Sequence, residues 1–157
     1  MKKLIAMLLI LISVLVMVGC DNVKQKETIM YSFRGEHDYF AISNGSIVLN
    51  DVNEIFDGGD LQITQSDVLN EIASYSTTFY TIIDGERRTI LSNSVIDQTG
   101  SAINVEGDLG KSSGKGVIIG SKVENIDELK DNLWFELETT DLHGKENVYQ
   151  IQLTFSN

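Results

Sequence analysis

From Ile29 to the C-terminus, apolar residues recur mainly at every second position. That period puts them on one face of a β-strand and leaves the other face polar. The clearest stretch is the last. Leu133, Phe135 and Leu137 alternate with Trp134, Glu136 and Glu138. After a loop from Asp141 to Asn147, Tyr149, Ile151, Leu153 and Phe155 alternate with Val148, Gln150, Gln152 and Thr154. Two such runs read as a half-buried antiparallel pair.

Turn chemistry divides the rest. The chain has no proline and 13 glycines, so its turns rest on Gly, Asn and Asp. Asn44-Gly45 separates Asp38–Ser43 from Ser46–Asn50. A two-residue type I′ turn there would pair Ile42 with Ile47 and Phe40 with Leu49. Asp84-Gly85-Glu86 marks a second hairpin, between Thr77–Ile83 and Arg87–Ile96. Shorter strands are expected at Leu61–Thr64, Ala102–Glu106 and Gly116–Val123. Ser66–Ile72 reads as one helical turn. Asn125 opens a small helix, Ile126–Asn132, with Glu128 as its capping-box partner. The pattern predicts one all-β domain over residues 29–157. Its form is an antiparallel β-sandwich or flattened barrel of about 8–9 strands with one or two short helices.

The first 28 residues belong to a different grammar. Met1-Lys2-Lys3 precedes Leu4–Val18, which is apolar apart from Ser13. As a helix this run would span roughly 22 Å, short of the roughly 30 Å hydrocarbon core of a bilayer. It fits the h-region of a signal peptide. Met17-Val18-Gly19-Cys20 resembles the lipobox of bacterial lipoproteins, with Met17 where that family prefers Leu. The resemblance implies that residues 1–19 are removed and that Cys20 carries a diacylglyceryl group. Two acyl chains hold a protein stably at a membrane, where one does not. Residues 20–28 would be a polar tether, and the domain would stand on the outer face of a bacterial cytoplasmic membrane. The lipobox, with Tyr31–Glu36 and Leu133–Leu137, resembles small lipoproteins of spore-forming Gram-positive bacteria. That likeness carries over Cys20 and no other functional residue.

Cys20 is the only cysteine, so no disulfide is expected. The leader would take Lys2 and Lys3 from 12 basic residues, against 23 acidic ones. Such a chain repels nucleic acid and anionic headgroups. Lipid on Cys20 is then the expected membrane contact, and a protein or cell-wall component the expected further partner.

Catalytic patterns are sparse. His37 and His143 both read as turn residues, and no Gly-x-Ser-x-Gly elbow exists. Gly110-Lys111-Ser112 lacks the leading glycine of a P-loop, because Val105 stands in its place. Gly107–Gly116 reads as a loop joining two strands. Asp51, Asn53, Asp57 and Asp60 are oxygen ligands of the kind Ca²⁺ prefers, although Ile55 and Phe56 break the EF-hand pattern. Asp57-Gly58-Gly59-Asp60 reads as a turn. Trp134 points away from Phe135 and is the candidate ligand platform; the blander expectation is that a second sheet or the small helix covers it. No catalytic residue is assigned and no cofactor is required. The chain therefore reads as a non-enzymatic binding or structural module of the cell envelope. The alternative is a calcium-binding or carboxylate-dependent extracellular hydrolase.

Overall fold

The computed structural model describes residues 28–50, 53–115 and 129–156. The leader, Cys20, most of the tether, Asp51 and the expected strand Gly116–Val123 lie outside the described residues. So does the start of the expected helix, of which Leu129 and Lys130 are seen as helical.

The strands in chain order are β1 (Ile29–Glu36), β2 (Phe40–Leu49), β3 (Glu54–Asp57), β4 (Asp60–Ile63), β5 (Ile72–Ile83), β6 (Glu86–Ile96), β7 (Gly107–Asp108), β8 (Lys111–Gly114), β9 (Leu133–Asp141), β10 (Glu146–Gln152) and β11 (Thr154–Ser156). They form two antiparallel sheets and no closed barrel. One sheet runs β11-β1-β2-β3-β8, with β4 and β7 continuing beside β2; the other runs β10-β9-β5-β6. The fold is thus the all-β sandwich that the alternation predicts. A 3₁₀ turn at Ser66–Val68 stands where one helical turn was expected. Among the described residues no helix is long and apolar enough to cross a membrane.

Two hairpins follow their sequence signals. β9 and β10 pair Leu137 with Tyr149 and Phe135 with Ile151. β5 and β6 join through Asp84 (φ 54°) and Gly85 (φ 78°). Positive φ at both positions is what a type I′ turn requires.

Asn44-Gly45 is not a hairpin, which corrects the expectation from sequence. It lies inside the ten-residue strand β2. Phe33 pairs with Gly45, but Gly35 pairs with Ile42, so β2 carries one extra residue opposite β1. Asn44 takes φ 60° there, the left-handed conformation of a β-bulge. The dipeptide supplies the same backbone freedom that a hairpin would use, but it bends a strand instead of reversing it.

The bend continues across the sheet. β2 pairs with β3 through Ser46 and Asp57 and with β4 through Ser43 and Asp60, with no shift of register. β3 and β4 are therefore one strand creased at Gly58-Gly59, not two strands joined by a turn. β7 and β8 are likewise one strand creased at Leu109-Gly110. The segment Gly107–Gly114 is thus strand, where the sequence reading has a loop. Backbone bonds hold across the crease: Gly58 N–H donates to Gly110 O at 2.9 Å, and Leu109 N–H to Gly59 O at 2.8 Å. Ala102–Glu106, expected as a strand, is irregular, although Ile103 N–H donates to Ile72 O at 2.8 Å and Val105 is buried.

The core lies between the sheets. Phe33, Phe40 and Phe56 from one sheet meet Phe79 and Phe135 from the other, all fully buried. Their rings sit 4.9 to 6.1 Å apart across five contacts, most of them edge-on or tilted. Burying each such side chain contributes roughly 1.5–3 kcal/mol. At Leu153, itself buried, the chain leaves one sheet for the other, so β10 and β11 belong to different layers.

Candidate functional site

Because the core takes one face of the four-stranded sheet, alternation directs Trp134, Glu136, Glu138 and Thr140 of β9 outward. The register builds four rows on that outer face. Gln152, Trp134, Tyr80 and Thr89 form the first, and Gln150, Glu136, Thr78 and Ser92 the second. Val148, Glu138, Ser76 and Ser94 form the third, and Glu146, Thr140, Ser74 and Ile96 the fourth. Four rows along the strands span about 20 Å. The other sheet packs on the opposite face, so it does not cover Trp134, which is half-buried.

The Trp134 end is rigid and nearly neutral. Arg87 lies over the Tyr80 ring, its Cζ 3.8 Å from the ring centroid. The same guanidinium donates to both oxygens of Glu136, at 2.6 and 3.0 Å. Gln150 Nε2 donates to Glu136 Oε2 at 2.5 Å. Glu136 is 6% exposed and Tyr80 4% exposed. The hydrogen bond from Arg87 holds the Glu136 carboxyl below the usual carboxylate range, and burial opposes it. The bond to Glu136 raises Arg87 in turn. Burial pushes the Tyr80 phenol up, against the pull of Arg87. Both charges of the pair are therefore locked on.

The other end is an open groove of about 320 Å³. Its lining includes the small polar residues Ser74, Ser76, Ser94 and Thr140. Val148 and Ile96, 58% and 71% exposed, stand on β10 and β6 to either side. Glu138 and Glu146 also line it, and no basic residue does among those described. Ser76 Oγ donates to Glu138 Oε2 at 3.1 Å.

The acidic segment singled out for Ca²⁺ is divided among other partners. Asn53 N–H donates to Asn50 Oδ1 at 2.9 Å just ahead of β3. Asp57 pairs with Lys111 at 2.8 Å and accepts the Gly59 N–H at 3.1 Å. Asp60 accepts from Asn44 Nδ2 at 2.9 Å. Asp51 lies outside the described residues. Among those described, no three His, Cys, Asp or Glu side chains come together as a metal site would require. His37 stacks on Phe40 at 4.9 Å, and His143 is exposed beside Glu71 at 3.6 Å. The histidines thus sit apart, each in its own turn.

Sequence reasoning found Trp134 and its outward direction. It missed Arg87, Glu136, Gln150 and the groove. The signal was present in the outward positions of β5 and β9, but only the pairing of strands far apart in sequence brings them together.

No protein-family model matches the chain, and no curated protein or solved structure matches it either.

Proposed function

We propose that this chain is a non-enzymatic binding module, held by lipid on Cys20 at the outer face of a bacterial membrane. Its ligand lies along the outer face of the four-stranded sheet. One observation carries the reading: that face is left open by the core and is prearranged. A half-buried tryptophan stands beside a fixed Arg87–Glu136–Gln150 network. Side chains already locked lose little freedom on binding. The lipobox resemblance and the acidic composition support the location. Glu138 and Glu146 do not recommend a hydrolase, because both are exposed. A carboxyl acting as general acid is raised by a dry site or a shared proton.

The test uses the full chain expressed in a Gram-positive host. A clickable fatty acid should label the protein, and Cys20→Ala should remove the label and the membrane retention. The protein in detergent micelles should sediment with purified envelope polymer, and Trp134→Ala should release it. Sedimentation unaffected by Trp134→Ala would place the ligand elsewhere, and an absence of sedimentation would sink the binding role.

A further inference from the structure

Resting on that reading of the outer face, we infer that the groove beside Glu138 and Glu146 takes an amino-bearing glycan, a chain of sugar rings with free ammonium groups. Three properties of the groove converge on this class. The first is its charge. Carboxylates accept hydrogen bonds and donate none. Glu138 receives one from Ser76, and no basic residue lines the groove among those described. The occupant must therefore supply further donors and positive charge. An anionic polymer would add repulsion instead.

The second property is the mixture of surfaces. Val148 and Ile96 offer exposed aliphatic flanks to the groove. Ser74, Ser76 and Ser94 offer hydroxyls, each able to donate and accept. A sugar ring has the matching character, with C–H faces and hydroxyl edges. Trp134, two rows from the near end of the groove along the same strands, gives a second ring an aromatic surface.

The third property is position. The groove lies on a sheet face whose floor is β9 and β5, the two strands whose backbone N–H and C=O groups are paired on both sides. Extended peptides bind β-proteins by adding to an edge, through those backbone groups. A ligand on the face must bind through side chains, as a glycan does.

The experiment is calorimetric titration of the full chain in micelles with two six-sugar probes, an oligomer of glucosamine and its fully N-acetylated counterpart. Mildly acidic buffer keeps the amines of the probe charged. The free-amine oligomer should bind about tenfold more tightly or better. Glu138→Gln combined with Glu146→Gln should abolish that preference, weakening the free-amine oligomer more than the acetylated one. Trp134→Ala should weaken both. Glu86→Gln and Asp67→Asn, which lie away from the groove, should change neither.

Equal binding of the two oligomers would overturn the inference and leave the binding module standing. Binding of neither would remove the glycan and, with failed envelope sedimentation, the module too. A hexalysine peptide that matches the free-amine oligomer would show attraction by charge alone. Equal losses from Glu86→Gln or Asp67→Asn would show the same, and either result rejects the glycan.

Discussion

The ring of Phe33 lies on the backbone of Gly45, so close that a Cβ at Gly45 would overlap it. The two residues face each other across β1 and β2, and Phe33 is 1% exposed. The ring cannot retreat, because Phe56 stacks on it at 5.3 Å and Phe79 meets it edge-on at 6.1 Å. Gly45→Ala should therefore destabilise the protein by about 1–3 kcal/mol, the usual effect of overpacking a core. In urea denaturation, Phe33→Leu with Gly45→Ala should cost less than the two single changes added together. Strict additivity would mean the ring is not what excludes the side chain.

Asn44 and its neighbour serve different needs. Asn44 holds φ 60°, a conformation that costs an ordinary L-residue roughly 1–2 kcal/mol. Asn44→Gly removes that strain and loses only the bond to Asp60, which is exposed. Asn44→Ala loses the bond and keeps the strain. The alanine variant should melt below the glycine variant by the equivalent of about 1 kcal/mol. The reverse order in a thermal scan would contradict the bulge.

Acid should weaken the fold from a definable point. Glu136 is held low by Arg87, Asp97 by the Thr99 hydroxyl, and Asp141 by the Lys145 backbone N–H. A carboxylate lowered in the folded state stabilises it fully above the unfolded pKa, about 4. That contribution is lost as pH falls through the folded value. Stability should thus be level from neutrality to about pH 5 and decline below. Arg87 is 42% exposed, so solvent screens the pair, and Glu136→Gln should cost about 1–2 kcal/mol at neutral pH. The same variant should decline less steeply in acid. Superimposable acid profiles for variant and parent would show that Glu136 takes no part.

Calcium gives a sharper contrast. A ligand that binds only the folded state must raise its melting temperature. Asp57 is paired with Lys111, and Asp60 with Asn44, so millimolar Ca²⁺ should leave the melting temperature unchanged. A rise that Asp57→Asn abolished would reinstate the acidic segment as a metal site.

Ending the chain at Gln150 removes Ile151, Leu153 and all of β11. Ile151 and Leu153 are buried in the core, and loss of each large aliphatic side chain alone costs about 2–5 kcal/mol. The shortened protein should show no cooperative melt by circular dichroism. A sharp transition would contradict the role given to the last strand.

What the sequence disclosed depended on range. The pairing of β9 with β10 was legible because a period of two fixes both the face and the partner. Asp84-Gly85 was legible because its flanking runs are long. Asn44-Gly45 has the same local chemistry as a hairpin, and only Phe33 and the strands beside β2 make it a bulge. Gly59 and Gly110 mislead for the same reason: a positive φ within a strand looks, in one dimension, like a positive φ in a turn. At the outer face, Trp134 could be oriented by its neighbours. Arg87 and Glu136 are 49 positions apart, and no local pattern joins them.

The pairing of β11 with β1 also sets a schedule. Ser156 Oγ reaches Ser32 O across 124 positions, and β11 is the partner that β1 has on the side away from β2. Synthesis adds about 5–20 residues per second, so on the order of ten seconds separate the first strand from the last. Until then the first sheet ends at an open β1, and the chain has yet to make its last crossing from the second layer, between β10 and β11. The native sandwich closes only after its last few residues arrive. A chain built this way holds the far edge of its first strand in reserve for a partner made last.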